Sequence, residues 1–230
     1  MKERTMKVVV QASGGIESTV LLAKAIAEVG RENVFPIAFD TDSIFWRHRD
    51  AVAVKQVITN LQLQQNLFVC RMPQMDFLEY VRNEQYADVG FIPGFKLLFN
   101  VASLAYAQRV GASRVWVGNM NDNIFPDESP EFINDTNALY NRTYSMETNQ
   151  EVRVETPFAS WTKARVIRLG LELGVDLAHT VSCGDERLSG GFNCGSLSCP
   201  WCQKRKQGFL ESGIPDKTQY MFDNNPFVPR

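Results

Sequence analysis

Between the apolar residues 8–10 and 20–22 the chain reads Gln-Ala-Ser-Gly-Gly-Ile-Glu-Ser-Thr, which gathers Ser13, Gly14, Gly15, Ser18 and Thr19 in one short stretch. Adjacent glycines open backbone conformations closed to other residues and let a ligand come against the main chain. A helix beginning just beyond them would direct unpaired N–H groups and the positive end of its dipole at the same spot. Three hydroxyls add donors. This is an anion-binding design, suited to a nucleotide phosphate or pyrophosphate. Gly-Lys-Ser/Thr is missing, so it is not a Walker A loop, and the GxGxxG dinucleotide fingerprint is absent too. The other reading is a Gly-Gly turn with capping serines.

A second group is built from sulfur. Of five cysteines, Cys183, Cys194, Cys199 and Cys202 fall together as C-x10-C-x4-C-x2-C, and only Cys70 lies elsewhere. A C-x2-C pair brings two thiolates to one ion from a tight turn, and two upstream thiols complete a tetrahedron around Zn²⁺. Four sulfurs leave no open coordination position, so the expected site is structural. It would supply folding energy to a loop-rich tail with few apolar residues. Scattered buried cysteines and a redox C-x-x-C are the alternatives, the latter disfavoured because no strand-to-helix context precedes Cys199.

A phosphate loop needs a strand ending just before it and a helix starting just after. The apolar run at 6–11 predicts the strand, and Val20, Leu21, Ala25 and Val29 predict a helix over 17–29. Further strands are expected at 34–39, 67–70 and 114–118, and helices at 51–61 and 97–111, the latter stopped by Gly111. Thr162 is a candidate N-cap for a late helix that Gly174 ends. Strands alternating with helices make this an α/β protein with a doubly wound, mostly parallel sheet covered on both faces. Such folds bind ligands at the carboxyl ends of their strands, and Ser13 lies at one of them. Residues 119–137 and 184–198 read as long polar loops, which in compact domains are more often functional than idle.

Composition narrows the partners. Twenty-four Lys and Arg against 26 Asp and Glu leave a formal charge of −2, which argues against a polynucleotide-binding surface. The only compact basic cluster, Lys-Arg-Lys at 204–206, reads as a solvated helix face. No apolar run of about 18 residues suggests a membrane span. The N-terminus shows no signal-peptide cleavage pattern, and clustered thiols fit a reducing compartment, so a cytoplasmic protein is expected.

Ser-Gly-Gly-Ile-Glu-Ser at 13–18 resembles the SGGxDS loop of the PP-loop N-type ATP pyrophosphatases, which cleave ATP between the α and β phosphates and adenylate a substrate. Glu17 stands where that motif has Asp. With the four-cysteine tail and Lys-Arg-Lys-Gln-Gly-Phe at 204–209, the chain resembles the 7-cyano-7-deazaguanine synthases of the queuosine pathway over nearly its whole length. Arg47-His48 is similar to that family's QRH segment, and 91–112 to its F-V-P-G-R-N helix start. Residues 117–132 resemble its substrate loop, 155–174 its strand, Trp-x-Lys and helix, and 180–183 its Thr-x-x-Cys. The departures are Glu17, Phe95-Lys96 in place of Arg-Asn, and a shorter substrate loop that keeps only Pro126-Asp127.

The resemblance implies the adenine nucleotide alpha hydrolase-like fold, with an ATP-binding and substrate domain over 1–178 and a zinc-binding tail over 179–230. It implies ATP, Mg²⁺ and Zn²⁺ as cofactors, and 7-carboxy-7-deazaguanine and ammonia as small-molecule partners; a homodimer stays open. Adenylation of the carboxylate, displacement of AMP by ammonia, and an ATP-driven dehydration of the amide would end in the nitrile. Ser13, Gly14, Gly15, Ser18 and Thr19 would hold the phosphates with Glu17 beside them. Lys163 would supply a cation, and otherwise reads as a solvated first-turn lysine. Arg47 would hold a phosphate or the substrate carboxylate, and His48 would act as acid, base or donor. Asp127 would accept from the guanine-like N1–H and amine, with a turn aspartate as the other reading; Asn121 and Asp122 are next in line. Phe91, Phe95 and Phe125 would stack on a heterocycle or pack the core. The departures keep two alternatives open: a diverged paralogue that stops at the amide or passes the acyl group to another amine, and a nucleotide-binding module without catalysis.

Overall fold

The structure is a computed structural model that describes residues 6–40, 49–72, 92–120, 125–144, 151–183 and 193–222, without the side chains of Arg49, Asp50 and Tyr144. Five strands, β1 (Val8–Gln11), β2 (Val34–Asp40), β3 (Phe68–Arg71), β4 (Arg114–Trp116) and β5 (Arg153–Glu155), form one sheet in the order β3-β2-β1-β4-β5. Every neighbouring pair is parallel. Among the described residues six α-helices occur: α1 (Ile16–Val29), α2 (Arg49–Asn60), α3 (Phe95–Val110), α4 (Pro130–Tyr144), α5 (Lys163–Glu172) and α6 (Pro200–Ser212).

The central strand shows why the sheet is covered on both sides. Val8, Val9 and Val10 are all fully buried. Val8 and Val10 belong to the core that holds Leu21, Val57, Ile58, Val166 and Phe209 of α1, α2, α5 and α6. Val9 joins Leu104, Ala107 and Ile133 of α3 and α4 on the opposite face. A strand apolar on both faces is what a doubly wound sheet demands of its middle.

Strand order reverses between β1 and β4, and the crevice outside their carboxyl ends is where such sheets take ligands. The loop at Ser13–Gly15 and Gly118, just past β4, both open there. They approach closely: a Cβ on Gly118 would lie 3.0 Å from Cβ of Glu17 and 3.3 Å from the amide nitrogen of Ser18.

Two expectations are corrected. Residues 119–137 are not one long loop, because α4 begins at Pro130. Its start is signalled by Ser129, whose Oγ accepts from the Phe132 amide at 3.1 Å, followed by Pro and Glu in the first turn. The basic cluster at 204–206 is not a solvated face, since Arg205 is 0% and Lys206 5% exposed.

Candidate functional site

The loop between β1 and α1 is shaped by its two glycines in different ways. Gly14 has φ +76 and faces α2, where a Cβ would fall 2.7 Å from Cβ of Ala53 and 2.9 Å from the amide nitrogen of Val54. Only glycine fits that approach. Gly15 is the N-cap of α1 with an ordinary extended backbone, φ −80 and ψ 170. A Cβ there would sit 3.5 Å from Ser13 Oγ, 3.6 Å from the Val181 carbonyl and 3.8 Å from Glu17 Oε2. The space it would fill lies among polar atoms, at a helix N-terminus that no side chain caps. That is a cradle for an anion.

Within the loop, the hydroxyls of Ser18 and Thr19 turn back and donate to the Gly15 carbonyl at 3.2 and 2.7 Å. Both residues are buried. Ser18 Oγ also accepts from the Ser13 amide at 3.3 Å and meets Ser13 Oγ at 3.1 Å. Ser13 is the exposed hydroxyl of the three.

Glu17 and Lys163 come together from residues 146 positions apart: Lys163 Nζ donates to Glu17 Oε1 at 2.5 Å. Thr162 caps α5, its Oγ1 accepting from the Arg165 amide at 3.3 Å, and so starts the helix at Lys163. Burial pushes the Glu17 carboxyl up, but the charge and hydrogen bond of Lys163 outweigh it and hold the group below its ordinary value. The result is a fixed cation beside the loop, with its counter-charge on the first turn of α1.

Asp127 lies in a short 3-10 turn (Pro126–Glu128) and is 6% exposed. Burial raises its carboxyl above the usual range, against the opposing charge of Lys96 and a hydrogen bond from the Lys96 amide. The acid therefore rests on the first turn of α3. Lys96 Nζ itself pairs with Glu128 Oε1 at 2.7 Å. Phe95 is buried and packs on Phe99 with ring centroids 4.4 Å apart. Phe125 faces Trp201 of α6 at 6.4 Å. Arg47, His48, Phe91, Asn121 and Asp122 lie outside the described residues.

The cysteines converge. The sulfurs of Cys183, Cys194, Cys199 and Cys202 all lie within 4.8 Å of one another, and all four residues are buried. The Cys183–Cys199 and Cys194–Cys202 pairs are 3.9 and 3.6 Å apart. A tetrahedral ion with bonds of about 2.3 Å sets its sulfurs about 3.8 Å apart, so the four thiols fit one metal ion. Burial foremost pushes the Cys194 thiol up to about 11, and a bound cation reverses that preference by taking the thiolate.

Sequence reasoning missed Arg205. Its guanidinium reaches Thr180 Oγ1, Ser182 Oγ, the Leu177 carbonyl and Thr218 Oγ1 at 2.6–3.2 Å. The available signal was position: a helix that begins at the Cys199–Cys202 pair must turn one face inward over the sulfurs. Arg205, three residues past Cys202, lies on that face.

A parallel sheet of this order, with a glycine loop at its switch point, is the fold of the PP-loop ATP pyrophosphatases, and a four-cysteine cluster is appended to it here. A solved structure titled NMN synthetase from Francisella tularensis shares the fold, with a TM-score of 0.51 and 14% identity over 92% of this chain and 79% of that one. Residues 7–213 match the family described as Queuosine biosynthesis protein QueC. A 7-cyano-7-deazaguanine synthase of Syntrophobacter fumaroxidans is 32% identical over 96% of this chain and 99% of its own length. Another, from Cellvibrio japonicus, is 30% identical over 94% and 98%. The chain belongs to this queuosine-biosynthesis family, and it is an enzyme of the ATP-dependent carbon–nitrogen ligase kind. No described helix is long and apolar enough to cross a membrane.

Proposed function

We propose that the protein makes 7-cyano-7-deazaguanine from 7-carboxy-7-deazaguanine, ammonia and ATP. The observation that carries this reading is the family match over residues 7–213, together with an uncapped helix N-terminus and a paired lysine at the topological switch point. The substrate carboxylate attacks the α phosphorus of ATP and pyrophosphate leaves. Ammonia then displaces AMP from the acyl adenylate to give the amide. The amide oxygen then attacks the α phosphorus of a second ATP, pyrophosphate leaves again, and loss of AMP and the two nitrogen-bound protons gives the nitrile.

The chain's own groups meet the physical demands of these steps. Negative charge grows on the departing pyrophosphate, and preorganised donors aimed at that position are worth most in a site closed to water. The first-turn amides of α1, Ser13 Oγ and Lys163 Nζ supply them. Ser18 and Thr19 hold the loop's shape around the Gly15 carbonyl and offer further hydroxyls when the nucleotide enters. Mg²⁺, when bound with ATP, neutralises phosphate charge, and Glu17 is the described carboxylate beside the loop that could face it. Asp127 accepts from the guanine-like edge, since a carboxylate suits two parallel N–H donors. Phe95 lies beside that site, with Asp122 assigned to it by resemblance alone. Arg47 and His48 are assigned by resemblance to the substrate carboxylate or phosphate and to proton transfer. Zinc is the metal of the four thiols and holds the tail over 179–230 against the ATP-binding and substrate domain over 1–178.

One observation favours a second reading. Lys96, where the family resemblance expects Asn, is tied to Glu128 next to Asp127. That alters the charge of the substrate end and suits a paralogue that stops at the amide or serves another amine. Mass analysis of products from ATP, the carboxylate and ammonia decides between them: the nitrile mass supports the first reading, and an amide that accumulates with excess ATP overturns it.

A further inference from the structure

The segment after the 3-10 turn Leu177–His179 has no helix or ladder of its own, yet it is held at every step. The Thr180 amide donates to the Leu177 carbonyl at 3.1 Å, and the Val181 amide to the Gly14 carbonyl at 2.9 Å. The amides of Ser182 and Cys183 both donate to Asn193 Oδ1, at 2.8 and 3.2 Å, while Asn193 Nδ2 donates to the Thr180 carbonyl at 3.0 Å. Arg205 Nη1 donates to Thr180 Oγ1 at 2.8 Å and to Ser182 Oγ at 3.2 Å. Thus a strap of four residues, 180–183, runs from the nucleotide loop to a candidate metal ligand, and two of its side chains, Thr180 and Ser182, hang on one fully buried guanidinium. Ala53 of α2 closes the triangle, since it abuts Gly14 and also packs in the cluster of Val181 and the four cysteines.

The charge of Arg205 needs an explanation of its own. Its hydrogen-bond acceptors are all neutral oxygens, and its ion pair with Asp216 is long, 4.0 Å to Oδ2, an oxygen that also accepts from the Tyr220 hydroxyl at 2.5 Å. Lys206 is buried as well, donating to the Gly195 carbonyl at 2.6 Å, one residue past Cys194. Four thiolates around a divalent ion would carry a net −2, and Arg205 and Lys206, two buried cations one turn beyond Cys202, oppose that charge. Buried charges persist only when paired or balanced, and groups just outside a metal's ligands commonly orient those ligands.

We propose that Arg205 is a positioning residue that ties the tetrathiolate centre to the nucleotide loop, so that metal and nucleotide each tighten the binding of the other. The proposal rests on the reading of the Ser13 loop as the ATP site. Loss of the ion frees Cys183, slackens the strap and removes the Val181 amide from Gly14, the glycine whose conformation shapes the cradle. Linkage makes the effect reciprocal: the factor by which metal improves nucleotide affinity equals the factor by which nucleotide improves metal affinity.

The test is equilibrium competition for Zn²⁺ with a chromogenic chelator, with and without saturating α,β-methylene-ATP. Circular dichroism is recorded at each point, and analogue affinity is measured separately on the zinc-loaded enzyme. We expect the analogue to raise zinc affinity about tenfold in the folded wild type, within the usual span of coupling. In Ser182→Ala, which removes one acceptor, the factor should shrink, and in Arg205→Met it should approach one. Arg205→Lys, which keeps the charge but not the fork, should restore only part of it. The wild-type and Ser182→Ala results decide the matter even if Arg205→Met does not fold. If the analogue binds but leaves zinc affinity unchanged, the coupling is overturned and the loop reading stands. If zinc is lost only as the whole protein unfolds, the coupling is likewise overturned. If the analogue fails to bind the zinc-loaded wild type, both fall.

Discussion

Replacing Gly15 and Gly14 one at a time by alanine should give opposite results from adjacent positions. At Gly15 the backbone is one any residue adopts, and the nearest atoms to a new Cβ are 3.5–3.8 Å away. Alanine at an N-cap costs about 1 kcal/mol, offset by about 0.4–1 kcal/mol from a less flexible unfolded chain. Stability should therefore stay within about 1 kcal/mol, or roughly 2–4 °C in Tm for a chain of this size. The methyl group, however, occupies the space among Ser13 Oγ, the Val181 carbonyl and Glu17 Oε2. A phosphate pushed off one charge-assisted hydrogen bond loses about 1.5–3 kcal/mol, so ATP should bind roughly 10- to 150-fold more weakly. At Gly14 a Cβ meets Ala53 at 2.7 Å with φ at +76. Left-handed strain of about 1–2 kcal/mol and overpacking of about 1–3 kcal/mol should lower Tm by on the order of 10 °C. Calorimetric ATP titration and thermal unfolding of both variants make the assay. If Gly15→Ala binds ATP within about twofold of wild type, the loop is a turn and the cradle argument is wrong.

Lys163→Met should cut AMP formation by about a hundredfold or more, the scale of removing one preorganised donor, and cost stability of about 1–3 kcal/mol, between an exposed and a buried pair. Because the folded Glu17 carboxyl lies below its unfolded value, the pair stabilises above about pH 4.3 and its contribution fades as pH falls through the folded pKa; urea unfolding of wild type and variant from pH 7 to 3 should converge. Asp127 behaves the other way: burial raises its pKa, so the folded protein holds the extra proton and stability declines as pH rises through that window. Asp127→Asn should flatten this slope, keep neutral-pH stability, and weaken binding of the deazaguanine acid about 10- to 100-fold, with ATP titration nearly unchanged. Atomic emission should find about one zinc per chain, and Cys199→Ser should lose zinc and soluble yield; a stable zinc-free wild type would remove the metal from the account.

The fold was legible because its signals are local. The apolar strand and the glycine pair at the loop, the cap at Thr162 and the stop at Gly111 each fix an element boundary through adjacent residues, and the observed elements begin or end within a few positions of those expected. The C-x2-C pair likewise announced the convergence of the four thiols. What stayed hidden depends on faces and distances. Lys163 could be read as solvated until α5 was seen to aim it at Glu17. Arg205 sat in a basic triplet that looks like surface, and only the packing of α6 over the sulfurs shows that charge going inward. The start of α4 was different, since the Ser129-Pro130-Glu131 cap was present in the sequence and was obscured by the polar residues around it.

Two close helix contacts explain how a tail built around sulfur reaches the Ser13 loop. A Cβ on Gly170 of α5 would press on Val20 of α1 at 2.9 Å, and one on Gly208 of α6 would press on Lys163 Cγ at 2.6 Å and Cδ at 3.0 Å. Each missing side chain lets a side chain of the neighbouring helix lie against the glycine, so α1, α5 and α6 stack closely. The stem of Lys163 lies flat on Gly208, and its ammonium reaches Glu17 at the start of α1. A lysine has long rotamer-rich reach and loses about 2 kcal/mol of side-chain entropy when fixed, a cost met here by packing on both sides. The cation beside the loop is thus placed by α6, the helix that carries Cys202 and Arg205. Lysine and strap both take their positions from this helix, which starts just after Cys199, next to the four converging thiols.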